Sequence, residues 1–294
     1  MRGILPAVVT PFDEQERFAP AAYESLLESV YSAGVDGIYV CGQTGEGLLQ
    51  SVDQRKRVAE VSLRCSPSGK QVIVHVGAYR TADAVELARH AGRIGVTAVS
   101  ALPPIGAYSF AEIRRYYEAI AAAAALPVLV YYFPEVCPAI KTAGQILELC
   151  SIPNVAGLKF TDFDLYRMRI LKQSGSVLFN GRDEVLAAGL MMGADGGIGT
   201  FYNVLPELFV DLYKRSLSLD WAGALAVQDR INTIVRITLQ FPVFPAIKEM
   251  LRWMGIECGQ CIQPRQGLSE EQSRELRRQI EACGVPLRGV ALRA

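Results

Sequence analysis

The chain has 294 residues, 50% of them apolar and 20% charged, with 30 Lys+Arg against 30 Asp+Glu and a formal net charge of +0. That balance excludes the electrostatic footprint of a nucleic-acid or anionic-membrane binder, and the apolar content excludes global disorder. The length suits one large or two ordinary domains, with a core that needs no disulfide or metal to hold it.

In chain order, strand patterns fall at residues 5–10, 37–41, 71–76, 98–102, 128–132, 155–160, 177–180 and 196–200. Helical patterns alternate with them at 21–33, 52–65, 82–94, 110–124, 143–149, 164–173, 184–192 and 205–215. Short apolar runs separated by amphipathic helices mean parallel strands covered by helices. Eight such units predict an α/β fold, a closed (β/α)8 TIM barrel over residues 1–218. An open doubly wound sheet is the alternative. Residues 219–294 read as a helical extension of the same domain, with helices at 221–239, 246–254 and 269–283 and no strands between them. Ser269-Glu-Glu-Gln272 has the form of a capping box for the last helix.

No apolar run reaches the roughly 20 residues of a membrane span, and the first residues lack a signal-peptide layout. The seven cysteines, an odd count, are expected to be reduced thiols of a cytoplasmic protein. Cys258 and Cys261 form a lone CxxC. With no second pair beside it, a zinc or redox role is the minor reading.

Active sites of such barrels gather at the carboxyl ends of the strands. Lys159 stands there in the otherwise apolar run Val155-Ala-Gly-Leu-Lys-Phe-Thr161, while the other six lysines have polar neighbours. A buried ammonium is costly unless paired, and a lysine held neutral is a nucleophile toward a carbonyl carbon. The plain alternative is a strand-end lysine reaching solvent. Tyr131 and Tyr132 end the preceding strand before Pro134, either as a proton relay or as a packed aromatic pair. Gly42-Gln-Thr-Gly-Glu-Gly47 exposes backbone N–H groups beside the Thr44 hydroxyl, a cradle for a carboxylate. It has neither the lysine of a P-loop nor dinucleotide-type spacing. Asp183 and Glu184, in Gly181-Arg-Asp-Glu184, are helix-start charges or acceptors for sugar hydroxyls. The glycines of Gly193-Ala-Asp-Gly-Gly-Ile-Gly-Thr200 allow a ligand close to the backbone. His75 and His90 are the only histidines. Their spacing gives no metal motif, and His75 reads as a satisfied core or rim residue.

These stretches together resemble the dihydrodipicolinate synthase/N-acetylneuraminate lyase family of class I aldolases. The resemblance rests on Gly42-x-Thr-Gly-Glu-Gly47, on Tyr131 three residues before Pro134, and on Lys159 twenty-eight residues after Tyr131. It is greatest toward the lyase subgroup, through Gly157-Leu-Lys-Phe-Thr161, Asn180-Gly-Arg-Asp-Glu184 and Gly193–Asn203. It implies a Schiff-base lysine at Lys159, an acid/base at Tyr131, and no metal or organic cofactor. It also implies a 2-keto sugar acid and pyruvate as small-molecule partners, a homotetramer, and cleavage of N-acetylneuraminate to pyruvate and N-acetylmannosamine. Gln43, Thr44 and Gly45 would hold the pyruvate carboxylate, while Thr161, Gly181, Asp183, Glu184 and Thr200 would contact the polyhydroxyl chain.

The chain departs from the family at three places. Val136 stands where dihydrodipicolinate synthases carry an arginine, which argues against that activity. Gln43 replaces the first hydroxyl residue of the turn, and Ile105 and Gly106 occupy the place of a strand-four tyrosine. These changes keep open another 2-keto acid aldolase or dehydratase, such as one acting on 2-keto-3-deoxygluconate. A non-catalytic sugar-acid binder is the reading from a different class.

Overall fold

The computed structural model describes residues 1–288. Its strands are β1 (Gly3–Pro6), β2 (Gly37–Val40), β3 (Gln71–His75), β4 (Ala98–Ala101), β5 (Val128–Tyr132), β6 (Val155–Phe160), β7 (Val177–Asn180) and β8 (Gly196–Gly199). All pair in parallel in the order β1-β8-β7-β6-β5-β4-β3-β2. A parallel bridge between Ala7 and Tyr39 closes the seam between β1 and β2, with Val8 N–H donating to Tyr39 O at 3.0 Å. The (β/α)8 barrel expected from the alternating pattern is therefore the fold.

The covering helices are α1 (Pro20–Ser32), α2 (Val52–Cys65), α3 (Thr81–Ile94), α4 (Phe110–Ala124), α5 (Ala143–Cys150), α6 (Leu165–Lys172), α7 (Leu186–Met191) and α8 (Pro206–Leu217). Three more follow: α9 (Trp221–Thr238), α10 (Val243–Trp253) and α11 (Glu270–Ala282). The Ser269–Gln272 capping box is present, and Ser109–Glu112 and Thr142–Gln145 form two others. Each pair satisfies orphan N–H groups of a first turn.

Three boundaries differ from the pattern for physical reasons. The first strand ends at Pro6, Ala7 and Val8 making the last bonds to Gly199 and Tyr39 before Val9 N–H turns to Asn203 Oδ1 at 3.1 Å, outside any ladder. Residues 183–185 form a separate 3₁₀ turn ahead of α7, because Gln228 of α9 holds that segment from outside. α10 begins at Val243, ahead of Pro245, since a proline in a first turn forfeits no helical bond.

The apolar residues sort into two layers. Leu5, Ala7, Tyr39, Ile73, Leu129, Tyr131, Phe179 and Ile198 belong to the cluster inside the barrel. Val128, Val130, Tyr132, Leu158 and Phe160 belong to the larger cluster between strands and helices. The two-residue period of each strand enforces this division.

Candidate active site

Tyr131, Lys159 and Phe179 occupy one register row across β5, β6 and β7. Their parity turns all three inward, and Lys159 is only 5% exposed. Its Nζ lies 4.1 Å from the Tyr131 ring centroid and 4.8 Å from that of Tyr39. Among the described residues, no carboxylate comes within ion-pairing distance of this amine. Tyr131 meets Tyr39 edge-on at 6.2 Å and His75 at 6.1 Å. Tyr132 faces the other way. Its hydroxyl donates to Asp162 Oδ2 at 3.4 Å and accepts from Arg167. The two adjacent tyrosines are thus separated by the pleat, and only Tyr131 reaches the lysine.

The turn after β2 is built on strained backbone. Cys41 and Glu46 have φ of 56° and 55°, and a Cβ on Gly47 would meet Cys41 O at 1.8 Å. The Gly45 carbonyl accepts from Thr10 Oγ1 at 2.9 Å and Gln50 Nε2 at 2.7 Å. Thr44 Oγ1 lies 2.7 Å from Thr200 Oγ1, joining the turn to the end of β8. Gln43 borders a groove of about 220 Å³ with Leu49, Tyr79, Ile105 and Arg265.

Glu46, to which the sequence reading assigned no role, is fully buried. Its Oε2 accepts from Ile262 N at 2.9 Å and Arg265 Nη1 at 3.3 Å. Lys248 Nζ stands 3.0 Å from Oε1, an ion pair without hydrogen-bond alignment, and donates to Gln260 O at 2.8 Å. Three residues after α9, Lys248, Ile262 and Arg265, therefore hold the turn after β2 through Glu46. The local sequence around Lys248 carries no sign of this, since its partner is 202 positions away.

On the β6–β8 side, Thr161 has a buried hydroxyl without a partner. A Cβ at Gly181 would sit 2.1 Å from it, so glycine keeps that space open. Asp183 turns inward, its Oδ2 accepting from Phe201 N at 2.8 Å. Burial lifts its carboxyl to about 7, against the lowering effect of that N–H. Glu184 also borders a cavity on α9 with Asp229, Asn232 and Arg236, its carbonyl accepting from Asn232 Nδ2 at 3.0 Å. Gln228, also unforeseen, donates to Asp183 O and accepts from Ala187 N, both at 3.0 Å. Arg182 lies across the rim, over Phe163 at 4.4 Å and Phe133 at 5.3 Å, paired with Glu135.

His75 accepts from Leu102 N at 2.9 Å through Nε2. Burial, then the charges of Arg55 and Lys159, hold it well below the usual histidine range, so it stays neutral. Arg55 donates to Gly77 O at 2.9 Å and His75 O at 2.7 Å. The thiols of Cys258 and Cys261 are pushed up to about 12 and about 11 by burial, the opposite of a reactive pair. Among the described residues, no group of three or more His, Cys, Asp or Glu is placed to hold a metal ion. No described helix is long and apolar enough to cross a membrane.

A buried amine with no carboxylate partner among the described residues, a phenol beside it and the hydroxyls of Thr44, Thr161 and Thr200 on the rim suit covalent capture of a carbonyl compound carrying polar groups. The comparisons agree with this geometry. The model of the dihydrodipicolinate synthetase family matches residues 1–283. The N-acetylneuraminate lyase of Rhizobium meliloti (strain 1021) is 33% identical over 288 residues, covering 95% of this chain and 94% of that one. That of Escherichia coli O1:K1 is 36% identical over 260 residues, covering 87% and 88%. The structure of a catalytic lysine mutant of Ruminococcus gnavus sialic acid aldolase superposes with a TM-score of 0.90 at 30% identity, covering 95% and 94%. The chain belongs to the dihydrodipicolinate synthetase family.

Proposed function

We propose that this carbon–carbon lyase cleaves N-acetylneuraminate to pyruvate and N-acetylmannosamine through an imine on Lys159. The observation that carries the reading is the buried Lys159 amine, with no acidic partner among the described residues, in register with Tyr131. The relatives named above as lyases, and the related aldolase with a catalytic lysine, support it.

The neutral amine adds to the keto carbon of the open-chain acid. Tyr131 gives its phenolic proton to the departing hydroxyl, water leaves, and the nitrogen keeps one proton as an iminium. The hydroxyl proton on the carbon four positions from the carboxyl end passes to the Tyr131 phenolate. The bond between the third and fourth carbons then breaks, and its electron pair flows into the iminium to form an enamine. The aldehyde departs, Tyr131 returns the proton to the enamine carbon, and water releases pyruvate. The iminium is the electron sink, so the scheme calls for no metal or organic cofactor.

Thr44 and the Gly45 N–H hold the carboxylate, with the Gln43 amide beside them. Thr161, Gly181, Asp183 and Thr200 address the hydroxyl chain, and Glu184 its far end. A site that pairs hydroxyls rejects analogues lacking them. Assembly as a homotetramer is part of the proposal and is read by light scattering.

Pyruvate with borohydride is expected to add one reduced three-carbon unit, mapped to Lys159, and Lys159→Ala is expected to take up none. Normal lyase turnover by Lys159→Ala would overturn the reading. Gln43 beside Ile105 favours a second one, a lyase or dehydratase for a 2-keto-3-deoxy sugar acid. Rates on a panel of sugar acids separate the two.

A further inference from the structure

The reaction creates a cation at a place where no described carboxylate is in contact, Asp183 acting on it only at longer range. When Lys159 becomes an iminium, the positive nitrogen stays close to where the amine sits. Among the described residues, no carboxylate is within ion-pairing distance of that position. What surrounds it is aromatic: the Tyr131 ring at 4.1 Å and the Tyr39 ring at 4.8 Å. The two rings stand at 88° to one another, so they enclose the nitrogen from different sides.

Tyr131 already has a role in proton transfer, whereas Tyr39 has none. It is fully buried on β2, three residues before the Gly42–Gly47 turn, but is itself part of no site motif. Its hydroxyl donates to Ser100 Oγ at 3.1 Å, which fixes the ring plane from the neighbouring interior of β4. Burial holds that phenol well above its usual range, so it stays un-ionised. The part of Tyr39 left to face Lys159 is its π-surface, which carries negative quadrupole potential and attracts a desolvated cation.

We propose that Tyr39 is a positioning residue for the imine step, its ring face holding the iminium charge of Lys159 in the absence of a carboxylate. A carboxylate there would favour the ammonium of the resting lysine and withhold the nucleophile. A ring face attracts a desolvated cation without presenting a charged oxygen to an ammonium N–H. The inference rests on the imine reading of Lys159.

The test uses the full-length chain and pyruvate as the probe. Tyr39→Leu removes the face and is expected to lower kcat for lyase turnover about tenfold. It also lowers the fraction of chain trapped by borohydride at a fixed pyruvate concentration. Tyr39→Phe, which restores the face without the hydroxyl, is expected to rescue most of both losses. Should Tyr39→Leu fail to fold, phenylalanine bearing one, two or three ring fluorines at position 39 keeps the shape and progressively drains the π-face. The logarithm of kcat is then expected to fall in step with fluorination, which a packing role would not produce. A flat series, with the parent chain still trapping pyruvate, overturns the role of Tyr39 alone. A parent chain that traps no pyruvate overturns the imine reading and this inference with it.

Discussion

Replacing Lys248 by methionine tests whether the extension holds the catalytic end of the barrel. Lys248 is 4% exposed and Glu46 1%, and their charged groups are 3.0 Å apart. Removing one partner of a buried pair costs about 3–5 kcal/mol, because the other charge is left without compensation. In Lys248→Met the stranded group is a carboxylate, keeping only the Ile262 N–H and the half-buried Arg265. In Glu46→Gln it is the ammonium, keeping the Gln260 carbonyl and the Phe12 ring 4.5 Å away. For a chain of this size each kcal/mol moves Tm by about 2 °C, so each single change is expected to lower Tm by roughly 6–10 °C. The double variant leaves neither charge buried. It is expected to be more stable than the sum of the singles by about 2 kcal/mol or more. Calorimetry and urea melts on the four chains measure this coupling. The same chains are assayed for pyruvate trapping, since Glu46 follows Thr44 and Gly45 directly. Singles that each cost under about 1 kcal/mol and add without coupling would refute the reasoning.

Three further outcomes follow from the same geometry. The Asp183 carboxyl, raised from 3.8 to about 7 by burial, gives the folded state a proton that the unfolded state has already released. Its contribution to stability is present below pH 3.8 and is lost as pH rises through about 7. Asp183→Asn is expected to abolish that decline, and parallel stability–pH curves for the two chains would contradict it. Thr44→Val deletes one of two hydroxyls 2.7 Å apart, worth about 1 kcal/mol for the lost bond and more once a carboxylate is bound. Half-saturating pyruvate in the trapping assay is expected to rise about tenfold, and an unchanged value would dismiss Thr44 as a carboxylate ligand. Gln228→Leu strips partners from Asp183 O and Ala187 N, and is expected to destabilise by about 1–3 kcal/mol. It should raise KM for the sugar acid while pyruvate trapping stays as in the parent, a split visible in steady-state kinetics.

The barrel was legible because its signal is local and repeated. Runs such as 128–132 and 155–160 are apolar on both faces, and the helices between them carry their own caps. Lys159 stood out for the same reason, as a charge inside such a run. The structure separates Tyr131 from Tyr132 by strand parity, a distinction the adjacent letters alone left open. Glu46, Lys248 and Gln228 escaped notice because their meaning lies in distant partners: 202 positions for the ion pair, 45 for Gln228 and Asp183. Tyr39 escaped because an aromatic residue in a core strand looks like packing until its ring is seen facing an amine.

The hydroxyls of Thr44 and Thr200 share one hydrogen bond, and either oxygen can be its donor. Swapping their hydrogens reverses the polarity of the pair with no heavy atom displaced. One polarity offers a visiting molecule a hydrogen at β2, the other a lone pair there and the hydrogen at β8. The mouth of the barrel can therefore greet an acid group on arrival and an alcohol in transit with the same two side chains, at the cost of two bond rotations.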